Sequence, residues 1–157
     1  RSLRGLCILR SETDKARMVI LGNLFTRYGY VKSDIRLAES AERLWVESKT
    51  TGLEIEVDLT SGDLALPAES PFKCWEQARK FSGPLPFTFS YEPGKRRVGI
   101  VEGVRSHWKP QPVRVHKHHI PFLAELGMQD AVLANAFIVR DIPYHWKAGC
   151  VETWEPS

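Results

Sequence analysis

The amino-acid sequence predicts an α+β fold, an antiparallel, barrel-like sheet carrying two main helices, within one domain spanning residues 1–157. Three observations predict it. About seven short apolar or alternating runs, bounded by Gly and Pro clusters, read as strands. Only two segments show helical spacing, and they do not alternate with the strands as a parallel α/β sheet would require. A chain of 157 residues, 43% hydrophobic and 26% charged, is long enough to bury a core without a disulfide or metal.

Leu3–Leu9 is a short apolar run followed by polar residues, the pattern of a buried strand. A helix follows, capped by Thr13 or Asp14. Met18, Leu21, Leu24 and Phe25 recur on one side of it until Gly29 ends the pattern. Ile35–Ala38, Arg43–Ser48 and Leu53–Leu59 read as three strands, the last two joined by a hairpin at Thr51-Gly52. In the third, Leu53, Ile55, Val57 and Leu59 alternate with Glu54, Glu56 and Asp58, which places the first set in the core and the second in water.

The Pro- and Gly-bearing stretch from 61 to 71 is a loop into a second helix over Pro71–Phe81, with Ser70 as its N-cap and Pro71 at its first position. Gly83-Pro84 ends that helix. Phe87, Phe89 and Tyr91 then alternate with Thr88, Ser90 and Glu92 as a strand with an aromatic face, and residues 92–95 form a turn. Arg97–Trp108 and Pro112–Ile120 are further strands, Pro121–Leu126 a short helical excursion, and Val132–Val139 a last strand.

Composition excludes several functions. The net charge of +3, from 22 Lys and Arg against 19 Asp and Glu, is too balanced for a dedicated nucleic-acid surface. The basic residues around Trp108 fit a solvated sheet face better than a single-strand binding face. No window reaches the roughly 18 apolar residues of a membrane span. The three cysteines, Cys7, Cys74 and Cys150, form neither a C-x-x-C pair nor a disulfide framework, which points to a reducing cytoplasm.

The densest set of metal-ligand types is His116-Lys117-His118-His119. On a regular strand His116 and His118 share a face and His119 points away, so two imidazoles do not make a centre and no metal is expected. His145, between Tyr144 and Trp146, reads as a packing residue. No G-x-S-x-G, G-x-x-x-x-G-K-[ST] or G-x-G-x-x-G is present, which argues against acyl-transfer and nucleotide chemistry and implies no cofactor. Trp75, Trp108, Trp146 and Trp154, with Tyr28, Tyr30 and Tyr91, can line an apolar pocket or fill a core.

Four segments together carry a resemblance. They are Gly5-Leu6-Cys7-Ile8-Leu9-Arg10-Ser11-Glu12-Thr13-Asp14, Gly22-Asn23-Leu24-Phe25-Thr26-Arg27-Tyr28, Gly83-Pro84-Leu85-Pro86-Phe87-Thr88-Phe89, and the run from Leu133 to Trp146. The chain resembles the YqjF-like family of uncharacterised proteins, a branch of the acetoacetate decarboxylase-like superfamily. The resemblance covers nearly the whole chain and implies a barrel-like α+β fold with a central apolar cavity, and an N-terminal segment preceding this part.

In acetoacetate decarboxylases one of two adjacent lysines forms a Schiff base with the substrate ketone, its amine freed by desolvation and the neighbouring cation. The corresponding region here has Lys32 between Val31 and Ser33, and Asn23 where those enzymes place a carboxylate. Both departures argue against decarboxylation. The resemblance therefore implies a cavity-bearing protein that binds a small molecule. The alternative is an enzyme acting on a small carbonyl or keto-acid compound, with Lys32 as the Schiff-base amine. Candidate ligand-binding residues are Asn23, Arg27, Tyr28, Tyr30, Glu102 and His107. The expected partner is a small-molecule ligand, with neither nucleic acid nor membrane, and a homo-oligomer is left open.

Overall fold

The computed structural model describes residues 3–26, 28–60, 62–83 and 85–153. In chain order its elements are β1 (Gly5–Cys7), β2 (Ser11–Thr13), α1 (Ala16–Thr26), β3 (Tyr30–Lys32), β4 (Arg36–Glu39), β5 (Arg43–Ser48) and β6 (Leu53–Asp58). There follow α2 (Trp75–Ser82), β7 (Phe87–Glu92), a 3-10 turn over Pro93–Lys95, β8 (Arg97–Arg105), β9 (Gln111–Pro112) and β10 (Arg114–His119). The chain continues through α3 (Pro121–Glu125), β11 (Phe137–Ile138), β12 (Tyr144–Trp146) and β13 (Cys150–Thr153). This is a mixed α+β chain, mostly strand and mostly antiparallel. Among the described residues no sheet closes into a barrel. No described helix is long and apolar enough to cross a membrane.

Two compact units emerge, one from the described parts of 1–32, 84–108 and 141–157, the other from those of 33–83 and 109–140. In the first, β1 runs parallel to β7, and β7 pairs antiparallel with β8. Both β12 and β13 lie along β8, opposite 103–105 and 97–100. They act as one strand interrupted at 147–149, where the Lys147 amide still donates to the Glu102 carbonyl at 2.9 Å. Separately, β2 and β3 pair in parallel, joined by α1.

Thr13, expected as a cap, instead makes a turn just ahead of α1, its Oγ1 accepting from the Lys15 amide at 3.2 Å. The expectation of a Leu24 and Phe25 core face on α1 is corrected: both are about 70% exposed, and the buried residues are Gly22 and Thr26. Apolar residues ring this helix, so their spacing selects no single side, and the closest approach goes where the side chains are smallest. β1 is likewise no buried strand. It forms an edge of its sheet with Leu6 45% exposed.

On β7 the aromatic and polar residues alternate as expected, and the polar face is the buried one. Thr88 and Ser90 are buried, whereas Tyr91 is 43% exposed. Thr88 can be buried here because its hydroxyl meets the Tyr28 hydroxyl and donates to the Val101 carbonyl, whereas Ser90, opposite Gly99, buries an Oγ with no hydrogen-bond partner among the described residues.

The second unit is a four-stranded antiparallel sheet in the order β10-β6-β5-β4. The hairpin between β5 and β6 forms where Thr51-Gly52 predicts it, with Gly52 at φ +68°. Asp34 secures that turn, since its carboxylate accepts from the Ser48 hydroxyl at 2.7 Å and from the Lys49 and Thr50 amides at 3.2 and 3.0 Å. The alternation expected in β6 is met at Val57, which is buried, and Glu54, which is exposed; Leu53, Ile55 and Leu59 are half-buried, as are Glu56 and Asp58 beside Arg43 and His116.

Helix α2 begins at Trp75, four residues after the predicted start. Ser70 is spent on a tighter turn, accepting from the Phe72 amide at 3.3 Å, and the Gln77 side chain accepts from the Lys73 amide at 2.8 Å just ahead of the helix. The strand predicted over Val132–Val139 is reduced to Phe137–Ile138, which pairs with β9.

Candidate functional site

The apolar face of the four-stranded sheet decides where a small molecule can sit. Alternation brings Leu44 of β5 and Ile55 and Val57 of β6 to one side, and Val115 of β10 joins them opposite Val57. Leu123 of α3 and the extended run from 131 to 138 cover this floor, leaving a cleft of about 390 Å³. Phe137 of the cover is braced by an edge-on contact with Trp75 of α2, ring centroids 5.3 Å apart. The run 131–136 makes a wall rather than a strand, which is why its apolar character was legible and its conformation was not.

Two polar side chains enter the lining, His118 and Asn135. The position of His118 comes from a bulge. Val115 pairs with Val57 and Lys117 with Glu56, so His116 is the extra residue and the alternation slips by one. The expectation that His116 and His118 share a face is therefore corrected. His118 lines the apolar cleft, whereas His116 Nε2 lies 3.6 Å from Asp58 and Lys117 pairs with Glu54. Hydrogen bonds from Thr60, and then His116, hold the Asp58 carboxyl below its usual range. Among the described residues no three His, Cys, Asp or Glu side chains gather as a metal centre would need. Asn135 is oriented by the Ser82 hydroxyl, which donates to its Oδ1 at 3.3 Å.

A second groove, of about 560 Å³, lies in the other unit between α1 and residues 146–149. Its walls include Leu24 and Phe25, both about 70% exposed.

The described candidates for catalysis and ligand binding, Lys32, Asn23, Tyr28, Tyr30, Glu102 and His107, belong to the first unit, whereas the cleft belongs to the second. Lys32 ends β3, exposed and paired in register with Thr13, and borders neither the cleft nor the groove. Asn23 has its amide engaged at both ends by one residue, Oδ1 accepting from the Tyr30 amide at 2.5 Å and Nδ2 donating to the Tyr30 carbonyl at 3.0 Å. It acts as a strand partner for β3. Tyr28 is 8% exposed, bonded to Thr88, and its ring lies 5.9 Å from that of Tyr30. Glu102 is bound through both carboxylate oxygens by Lys147 Nζ at 2.9 Å. His107 is exposed in a loop at φ +59°. Arg27, also a candidate, lies outside the described residues, as does Trp154.

Sequence reasoning missed His118 and Asn135 as cleft residues. The signal for Asn135 was present, a lone amide within an otherwise apolar run. For His118 there was none, because nothing in Val115-His116-Lys117-His118 marks the bulge. Comparison with protein-family models, with curated proteins and with solved structures finds no match.

Proposed function

We propose that this chain is a small-molecule-binding protein of the acetoacetate decarboxylase-like kind, without the lysine-pair chemistry, and that its ligand occupies the cleft over the four-stranded sheet. The observation that carries the reading is the lining itself, aliphatic and aromatic side chains on floor and cover with only His118 and Asn135 to fix an orientation. Apolar walls with a few placed polar groups are what a binding pocket offers a ligand that must leave water. An amine catalyst at Lys32 would need desolvation to be nucleophilic, and Lys32 is exposed. Binding is therefore preferred over Schiff-base catalysis.

Titration with a neutral, polarity-sensitive dye such as Nile red tests this reading. The wild type is expected to take up dye saturably at one site. Ala131→Trp, which adds bulk at an exposed position of the cover, is expected to remove that binding while leaving the circular dichroism spectrum unchanged. Non-saturable uptake, or binding insensitive to Ala131→Trp, overturns the assignment.

A further inference from the structure

We propose that the cleft selects molecules with a neutral, hydrogen-bond-accepting head, a ketone or ester, on an apolar body. The inference rests on the binding reading above and goes beyond it to the class of ligand.

The hydrogen-bonding inventory of the lining points to an acceptor. Asn135 Oδ1 already accepts from the Ser82 hydroxyl and keeps one lone pair, whereas its N–H₂ group brings two donors to a ligand. His118 carries at least one ring N–H in any protonation state. Both polar groups of the cleft can therefore donate. A carbonyl oxygen, with two lone pairs and no proton, accepts from either.

Charge narrows the class. Among the described residues lining the cleft there is no Lys, Arg, Asp or Glu. A carboxylate entering it would lose hydration with no fixed cation in return, and an ammonium would find no anion. The ion pairs of this sheet, Lys117 with Glu54 and Arg43 with Glu56, are made by side chains outside that lining and are already closed on each other. A bare hydrocarbon fits the walls but leaves the Asn135 amide and the His118 ring without a ligand partner, which costs about what a hydrogen bond is worth.

Displacement of bound Nile red by four molecules of matched length, 2-undecanone, decanoate, decylamine and undecane, tests the proposal. The ketone is expected to displace the dye about tenfold more effectively than undecane, as one or two hydrogen bonds would give. It is expected to exceed both charged compounds at neutral pH. Asn135→Leu and His118→Leu are each expected to reduce the preference for ketone over undecane while keeping undecane binding.

Decanoate or decylamine ahead of the ketone, or undecane equal to it, overturns the head-group assignment and leaves the cleft as a binding site. An unchanged ketone preference in both variants does the same. Failure of all four compounds to displace dye that is also insensitive to Ala131→Trp overturns the binding reading itself.

Discussion

Gly22 and Asn23 show two adjacent residues doing opposite kinds of structural work. A Cβ at position 22 would lie 2.5 Å from the Tyr30 ring, and that ring cannot easily retreat because Asn23 holds the Tyr30 backbone from both sides. Gly22→Ala gains about 1 kcal/mol of helix propensity but forces overpacking that costs about 1–3 kcal/mol, so the variant is expected to unfold at lower urea than the wild type. In a Tyr30→Ala background the ring is gone, and the same substitution is expected to raise the urea midpoint. A stabilising Gly22→Ala in the wild type would show that the ring is not held. Asp34 offers a test by pH. Hydrogen bonds from Ser48, first, and then Thr50 hold its carboxyl far below the ordinary carboxylate range, so a folded protein keeps the charged form that an unfolded one gives up at about pH 4. The stabilisation is accordingly present above about pH 4 and falls away as the pH drops further. Glu54 and Asp58 are shifted the same way and titrate in both proteins, so the comparison of wild type with Asp34→Asn isolates one carboxylate. Between pH 7 and pH 3 the wild type is expected to lose more melting temperature than the variant; equal losses would remove Asp34 from the acid limb.

At the scale of elements, legibility followed regularity. β6 was readable because Leu53 to Asp58 alternate without interruption and one face packs. β10 was assigned as a strand but with the wrong faces, since a one-residue bulge reverses every side chain beyond it. β12 and β13 were missed because each is short and draws its stability from the long β8 beside it, a partner 39 to 56 positions away in sequence. The buried face of β7 was not legible for a different reason. Hydrophobicity ranks Phe above Thr, but burial of Thr88 is made tolerable by the Tyr28 hydroxyl, a tertiary contact that no periodicity encodes. That contact can be measured. Tyr28→Phe and Thr88→Val are each expected to destabilise, and the double variant to lose about 1 kcal/mol less than their sum, the coupling of one buried hydrogen bond. Chemical denaturation of the four proteins gives the cycle; strict additivity would mean that the two hydroxyls do not interact. The candidate site was less legible than the fold because its floor comes from alternation, its cover from an apolar run read as a strand, and its polar corner at His118 from a bulge.

For the whole molecule, the question is whether the ketone recognition proposed above would involve a covalent bond. Resemblance to decarboxylases draws attention to Lys32, where an imine would form as the amine adds to a ketone carbon and water leaves. That reaction requires an unprotonated amine held away from water, next to a second cation, and facing the carbonyl. Lys32 is exposed, flanked by Val31 and Ser33, and belongs to a different compact unit from the cleft that offers two donors to a carbonyl oxygen. Donors of that kind hold a ketone without attacking it. Protein incubated with acetoacetate or a β-diketone and then treated with borohydride is therefore expected to gain no mass at Lys32, and carbon dioxide release from acetoacetate is expected to be the same for wild type and Lys32→Ala. Intact-mass spectrometry with peptide mapping reads the first and a coupled carbon dioxide assay the second. Stoichiometric reductive labelling of Lys32, together with saturable turnover that Lys32→Ala abolishes, would establish the Schiff-base enzyme in place of the binding protein; labelling scattered over surface lysines would leave the non-covalent reading intact, because an exposed amine reacts slowly wherever it stands.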